Sequence, residues 1–138
     1  MIHSSQIGDY ILYDKTEDKV VAVHKDYVLL ENKPEDSKIP FSDLEGIPIT
    51  VESLQKYGFE EIQQVMFMCS RYNIGDTNHP KWVVRLKRFK KTTLWFLEIF
   101  AHHATIMTKN TSIAHVRYLH EVQQAMRLTE INEELTKL

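Results

Sequence analysis

One stretch, Ile47-Pro48-Ile49-Thr50-Val51-Glu52-Ser53-Leu54-Gln55-Lys56-Tyr57-Gly58-Phe59, limits what this chain can fold into more than any other. Thr50 carries the hydroxyl of a helix N-cap, available to an otherwise unpaired amide of the first turn. Ile49 before the cap and Leu54 within the helix have the spacing of a hydrophobic staple. Gly58 suits the left-handed position just past a helix, and Phe59 after it stands where it can touch Leu54, the contact that accompanies a Schellman ending. The stretch therefore predicts a two-turn helix punctuated at both ends and anchored by three apolar residues. It divides an acidic first half from a basic second half. Residues 1–61 hold 6 basic and 13 acidic side chains, whereas residues 62–128 hold 10 basic and 3 acidic. The net charge of −2 conceals this asymmetry. A dipolar chain of this kind either pairs its halves or presents a basic face to an anionic partner.

A chain of 138 residues, 43% apolar and 26% charged, has the make-up of one globular domain or of two very small lobes sharing a core. No apolar run reaches the length of a membrane span, so no membrane partner is expected. Met1-Ile2-His3-Ser4-Ser5 lacks the basic and apolar regions of a secretory signal, and cytoplasmic residence is the expectation. The single cysteine, Cys69, excludes an intrachain disulfide and a zinc site of several thiolates.

Three β-branched and aromatic runs, Asp9–Asp14, Lys19–His24 and Tyr27–Glu31, are separated by the polar turns 15–18 and 25–26. Gly8 ahead of the first fits a tight entry. Lys38-Ile39-Pro40-Phe41 reads as an edge strand because of Pro40. After Phe59 the period changes to two. Ile62–Ser70 can alternate as a strand, with a helical alternative over Gln63–Met68, and Gly75–Pro80 is a loop. The next run places Trp82, Val84 and Leu86 on one face and Val83, Arg85 and Lys87 on the other. Lys90-Lys91-Thr92 turns the chain. Leu94–Phe100 returns with Trp95, Leu97 and Ile99 against Leu94, Phe96, Glu98 and Phe100, and 104–108 is a last strand. Thr111 or Ser112 would then cap a helix over 113–127, whose stripe Val116, Leu119, Val122 and Met126 would pack on the Trp82/Trp95 face. Thr129 would cap a final short turn.

The expected architecture is α+β. A small SH3-like N-terminal β-lobe spans 1–46, a linking helix 47–59, and an antiparallel β-meander packed on a C-terminal helix 60–138, all in one compact unit. The order of these pieces resembles a group of small uncharacterised proteins of Bacteroidetes and their phages. The likeness is carried by Ile7-Gly8-Asp9-Tyr10, by the Ile47–Phe59 stretch, and by Tyr118-Leu119-His120-Glu121-Val122-Gln123-Gln124 followed by Leu128-Thr129. The Arg/Lys-rich strand lies outside that likeness. The resemblance implies a phage or mobile-element origin and supplies no catalytic residue.

The strongest functional signal is the basic run with interleaved aromatic residues. Arg85, Lys87, Arg88, Lys90, Lys91 and Phe96 are the candidate binding residues, on a sheet face able to meet anions and stack on flat groups. The plainer alternative is a solvated strand pair neutralised by the acidic N-terminal lobe. Leu94, Phe96 and Phe100 would need cover, either from that lobe or from another subunit. His102 and His103 point to opposite sides of a strand. His115 and His120, read on one helix, lie about 140° apart and share no face. No catalytic or metal-ligating residue is assigned, and no cofactor is expected. Cys69, among Met66, Phe67 and Met68, reads as a small core residue. The expectation is a non-enzymatic binding protein that meets a host or phage protein. A nucleic-acid binder is the alternative, and a structural homo-oligomer or virion component the second.

Overall fold

The computed structural model describes residues 2, 4–63, 66–72, 80–88, 94–102, 107–128 and 135, with 62–63, 66–72, 80–83, 99–102 and 107–114 described for the backbone alone. Among these residues the chain is α+β, with two antiparallel five-stranded sheets, a 3-10 turn and two α-helices. It divides into two compact units: Met1–Pro48 with Tyr118–Gln124, and Ile49–Arg117 with Ala125–Leu138.

In the first unit, β1 (Tyr10–Tyr13), β2 (Thr16–Val23), β3 (Tyr27–Leu30), β4 (Ile39–Pro40) and β5 (Leu44–Gly46) lie in the order β4-β3-β2-β1-β5. The 3-10 turn Phe41–Asp43 joins β4 to β5, a strand that the sequence pattern does not reveal. The turn expected over 15–18 is shorter. Asp14 and Lys15 both take positive φ, 50° and 63°, so a two-residue turn closes Tyr13 onto Thr16 and β2 begins at Thr16. Such turns match the twist of the strands they join, which outweighs the local polarity of Thr16–Asp18. Gly8, at φ 93°, bends the chain so that its N–H donates to Val20 O at 2.8 Å, while Val20 N–H donates to Asp9 O at 2.9 Å. The core collects Ile2, Ile11, Val20, Val28, Leu30, Ile39 and Leu44, with Tyr13 and Phe41 packed against it. Burying such a side chain is worth about 1.5–3 kcal/mol, so the cluster is the main cohesive force of a sheet this small.

The second unit opens on α1 (Val51–Lys56), as the sequence predicts. Thr50 Oγ1 accepts from Ser53 N–H at 3.1 Å and Ser53 Oγ accepts from Thr50 N–H at 2.9 Å, a reciprocal capping box. At the other end Phe59 N–H donates to Leu54 O at 2.9 Å and Gly58 N–H to Gln55 O at 3.2 Å, with Gly58 at φ 91°. That is the full Schellman pattern, and Leu54 and Phe59 are both buried. The meander follows as β6 (Glu60–Gln63), β7 (Met66–Tyr72), β8 (Pro80–Arg88), β9 (Trp95–His102) and β10 (Met107–Val116), each from β7 onward paired with its predecessor. The single strand expected over 62–70 is two strands, β6 and β7. The loop at 75–79, the turn at 90–92 and the Thr129 cap lie outside the described residues.

The expected helix over 113–127 is wrong at its start. Residues 107–116 form β10, and α2 runs Leu119–Leu128. The backbone groups of Ile113–Val116 pair across to β9, from Glu98 to Trp95, and β-branched Thr108, Thr111, Ile113 and Val116 suit that pairing. The helix begins once the chain leaves the sheet, where Glu121 Oε1 accepts the Tyr118 N–H at 2.9 Å. Leu119, Val122 and Met126 are buried as expected, and Val116 is buried from the strand. Tyr118–Gln124 belong with the N-terminal sheet and Ala125–Leu138 with the second unit.

Gly46 in β5 lies under Tyr118: a Cβ there would stand within 2.8 Å of Tyr118 Cβ and closer still to its ring. Gly46→Ala is expected to destabilise by about 1–3 kcal/mol, seen as a lower urea midpoint at unchanged slope. Adding Tyr118→Ala should recover part of that loss. Lys15→Gly should stabilise by about 1 kcal/mol, since glycine takes the left-handed conformation without strain.

Candidate functional site

Strand alternation and register build the candidate face. Arg85 stands opposite Glu98 and Lys87 opposite Phe96 across β8–β9, while His115 of β10 stands opposite Phe96 on its other side. These five side chains share one face of the sheet. Val84, Leu86, Trp95, Leu97 and Val116 occupy the opposite face, and all five are buried. The chain thus uses one side of the meander for packing and leaves the other partly open to solvent.

On the open side Lys87 Nζ sits 2.7 Å from Glu98 Oε1, and Arg85 Nη1 sits 3.8 Å from Glu98 Oε2. One carboxylate therefore serves two cations. Glu98 is the most enclosed of the three, with its side chain 13% exposed against 21% for Arg85 and 33% for Lys87. The rings of Phe96 and His115 lie 5.7 Å apart at 40°. His115 is exposed and Phe96 half-buried. Arg88 is separated from this group by parity. Its guanidinium lies 5.0 Å over the ring of buried Trp95, directly across the strand pair. Lys90 and Lys91 lie outside the described residues, as does His103, and Trp82, Cys69, Phe100 and His102 are described for the backbone alone. Leu94 is exposed.

Sequence reasoning brings Arg85, Lys87 and Phe96 together correctly by alternation. It misses Glu98 as the partner of the two cations. The available signal was that this is the one acid between Asp76 and Glu121 in a basic stretch. His115 was missed because its segment was read as helix.

A second polar cluster lies in the first unit. Asp9 is fully buried, and its Oδ2 accepts from Gln6 N–H at 2.9 Å, Ser5 Oγ–H at 3.2 Å and Gln124 Nε2 at 2.8 Å. Beside it the Gln123 side-chain amide acts like a strand edge. Its Oε1 accepts Tyr10 N–H and its Nε2 donates to Gly8 O, both at 2.9 Å. His120 stacks on Tyr118 at 5.7 Å and 11°, and its Nδ1 is buried without a hydrogen-bond partner among the described residues. Burial pushes the His120 pKa below its ordinary value, while the charges of Asp9 and Glu121 act in the opposite direction and do not outweigh it. The cluster's chief work is structural, since it satisfies the backbone of Gly8–Tyr10 with helix side chains.

An open cleft of about 480 Å³ adjoins the β1–β2 turn, with Tyr13, Asp14, Lys15, Asp43 and Glu45 in its lining. Its sign is opposite to that of the meander face. Among the described residues no three His, Cys, Asp or Glu side chains are grouped to hold a metal ion, and no helix is long and apolar enough to cross a membrane. No protein-family profile, curated protein or solved structure matches the chain.

The His120 shift has a definite sign for stability. Its folded pKa is lowered, so the unfolded chain binds more protons between that value and 6.5. The stabilisation is therefore complete above the unfolded value and declines as pH falls towards the folded one. Urea denaturation between neutral and mildly acidic pH should show this loss, and His120→Gln should remove its share of the slope.

Proposed function

We propose that this chain is a non-enzymatic binding protein that meets its partner through the open face of β8–β9–β10. The observation that carries the reading is the gathering of Arg85, Lys87, Phe96 and His115 on one side of a sheet whose other side is packed. A rigid sheet holds these groups at fixed spacing, which suits recognition of a surface and asks for no chemistry. The partner is a protein of the host or of a phage, and the chain acts in the cytoplasm of the cell. Phage or mobile-element origin follows from the resemblance of the Gly8–Tyr10, Ile47–Phe59 and Tyr118–Gln124 blocks. The N-terminal sheet is SH3-like in this reading. Its order β4-β3-β2-β1-β5, with a 3-10 turn between β4 and β5, supports a small barrel in which the last strand returns beside the first.

Nucleic acid is the second reading, favoured by aromatic rings set beside cations on one sheet face. Glu98 weighs against it, because the cations nearest Phe96 already share a carboxylate.

The test compares wild-type protein with an Arg85→Ala/Lys87→Ala variant as immobilised baits, with bound host and phage proteins quantified by mass spectrometry. A partner retained by the wild type should fall by about tenfold or more on the variant, the equivalent of about 1.4 kcal/mol, with both proteins showing the same circular dichroism. Equal retention by the two would overturn the reading.

A further inference from the structure

We propose that His120 is an acid-sensitive latch. Proton uptake by its imidazole releases the clamp of Gln123 and Gln124 from Gly8–Tyr10 while the N-terminal sheet stays folded. The device lies within the first unit and does not depend on the β8–β9–β10 face. The His120 side chain is buried, its ring stacks on Tyr118, and its Nδ1 has no hydrogen-bond partner among the described residues. A neutral imidazole has one N–H, whereas the imidazolium has two. Whichever nitrogen holds the proton of the neutral ring, the imidazolium presents a donor at Nδ1 with no acceptor to meet it. Protonation thus adds a charge and an orphaned donor at a buried position, and both are costly.

Position makes the clamp the part that yields. Gln123 and Gln124 follow His120 by three and four residues on α2, so the three side chains share one helix face. Gln123 Oε1 accepts Tyr10 N–H and its Nε2 donates to Gly8 O, while Gln124 Nε2 donates to Asp9 Oδ2. The charges acting on the ring are Asp9, from the entry to β1, and Glu121, from its own helical turn. Both favour the imidazolium, and burial outweighs them. An imidazolium that turns towards Asp9 competes with Gln124 for a carboxylate already used by Ser5 and Gln6. One that turns towards water lifts the first turn of α2. Either movement loosens the clamp. The bonds from Gly8 N–H to Val20 O and from Val20 N–H to Asp9 O run towards β2 and do not involve the glutamines.

The experiment follows amide hydrogen exchange of the full chain by NMR from neutral to mildly acidic pH, corrected for the intrinsic pH dependence of exchange. The Tyr10 amide reports the clamp, the Val20 amide reports the sheet, and the His120 ring signals report its titration. Below pH 6.5 the protection of Tyr10 should fall by about tenfold per pH unit until the folded pKa of His120 is reached, because the open form binds one more proton. Low urea should leave that opening unchanged, as befits a small local event, while Val20 stays better protected. His120→Gln should abolish the pH dependence. His120→Phe, which keeps a ring on Tyr118, is the second variant if His120→Gln melts early. Constant Tyr10 protection through the His120 titration, or a pH dependence that survives in a folded His120 variant, would overturn the latch. Equal urea sensitivity of Tyr10 and Val20 would overturn it too, since His120 would then act only on global unfolding.

Discussion

Much of the structure depends on a few backbone bonds at Ile47–Ile49. In the first unit Ile47 O accepts Leu119 N–H at 2.9 Å, and Pro48 bridges Tyr118. In the second, Ile49 N–H donates to Arg117 O at 3.0 Å. These contacts tie the residues just after β5 to those just before α2, across about half the chain. Proline has no N–H to offer, so the bonds fall to its neighbours on either side. Tyr118 is then held against Gly46, where only a residue without a Cβ fits. The end of β10 and the start of α2 follow from this arrangement, and one turn later Gln123 and Gln124 reach Gly8, Asp9 and Tyr10.

The elements legible in the sequence are those whose causes are local. The Thr50 cap, the Gly58 ending and the two apolar anchors of α1 lie within a dozen residues, and each acts through a side chain or φ preference of its own. The α+β class and the three leading strands were readable for the same reason. The 113–118 segment was not. Val116, Leu119, Val122 and Met126 have helical spacing, yet Val116 is buried from a strand and the others from a helix. A buried strand residue followed by buried helix residues at these intervals reproduces the period of a single helix. What separates them is the pairing of β10 with β9, which no short window contains. The Asp14–Lys15 turn escaped notice for a related reason. Neither residue is the glycine that usually marks positive φ, and the strand pairing imposes the turn on them.

The candidate face was legible only where alternation sufficed. Arg85, Lys87 and Phe96 fall on one side because successive strand residues alternate, and that much needs no partner strand. Which acid meets which base is a matter of register between β8 and β9, which neither strand reveals by itself. The histidines show the same limit. Read on one helix, His115 and His120 were dismissed as a pair; the structure puts one on an exposed sheet face and the other in a buried polar cluster, for unrelated reasons.

The two polar groupings differ in what their surroundings permit. Asp9, Ser5 and Gln123 are nearly or wholly enclosed, and the hydrogen bonds described for them lie within the first unit, where losing one is costly. Arg85, Lys87 and Glu98 remain partly in water, where an ion pair contributes at most about 1 kcal/mol and exchanges readily with another partner. A contact that weak adds little as a structural brace, and hydrophobic residues on the opposite face already hold the strands. A weak, partly hydrated triad beside an aromatic pair is better suited to exchange than to support. The interior of the first unit holds its sheet together, while the open side of the meander carries charges that water still partly solvates.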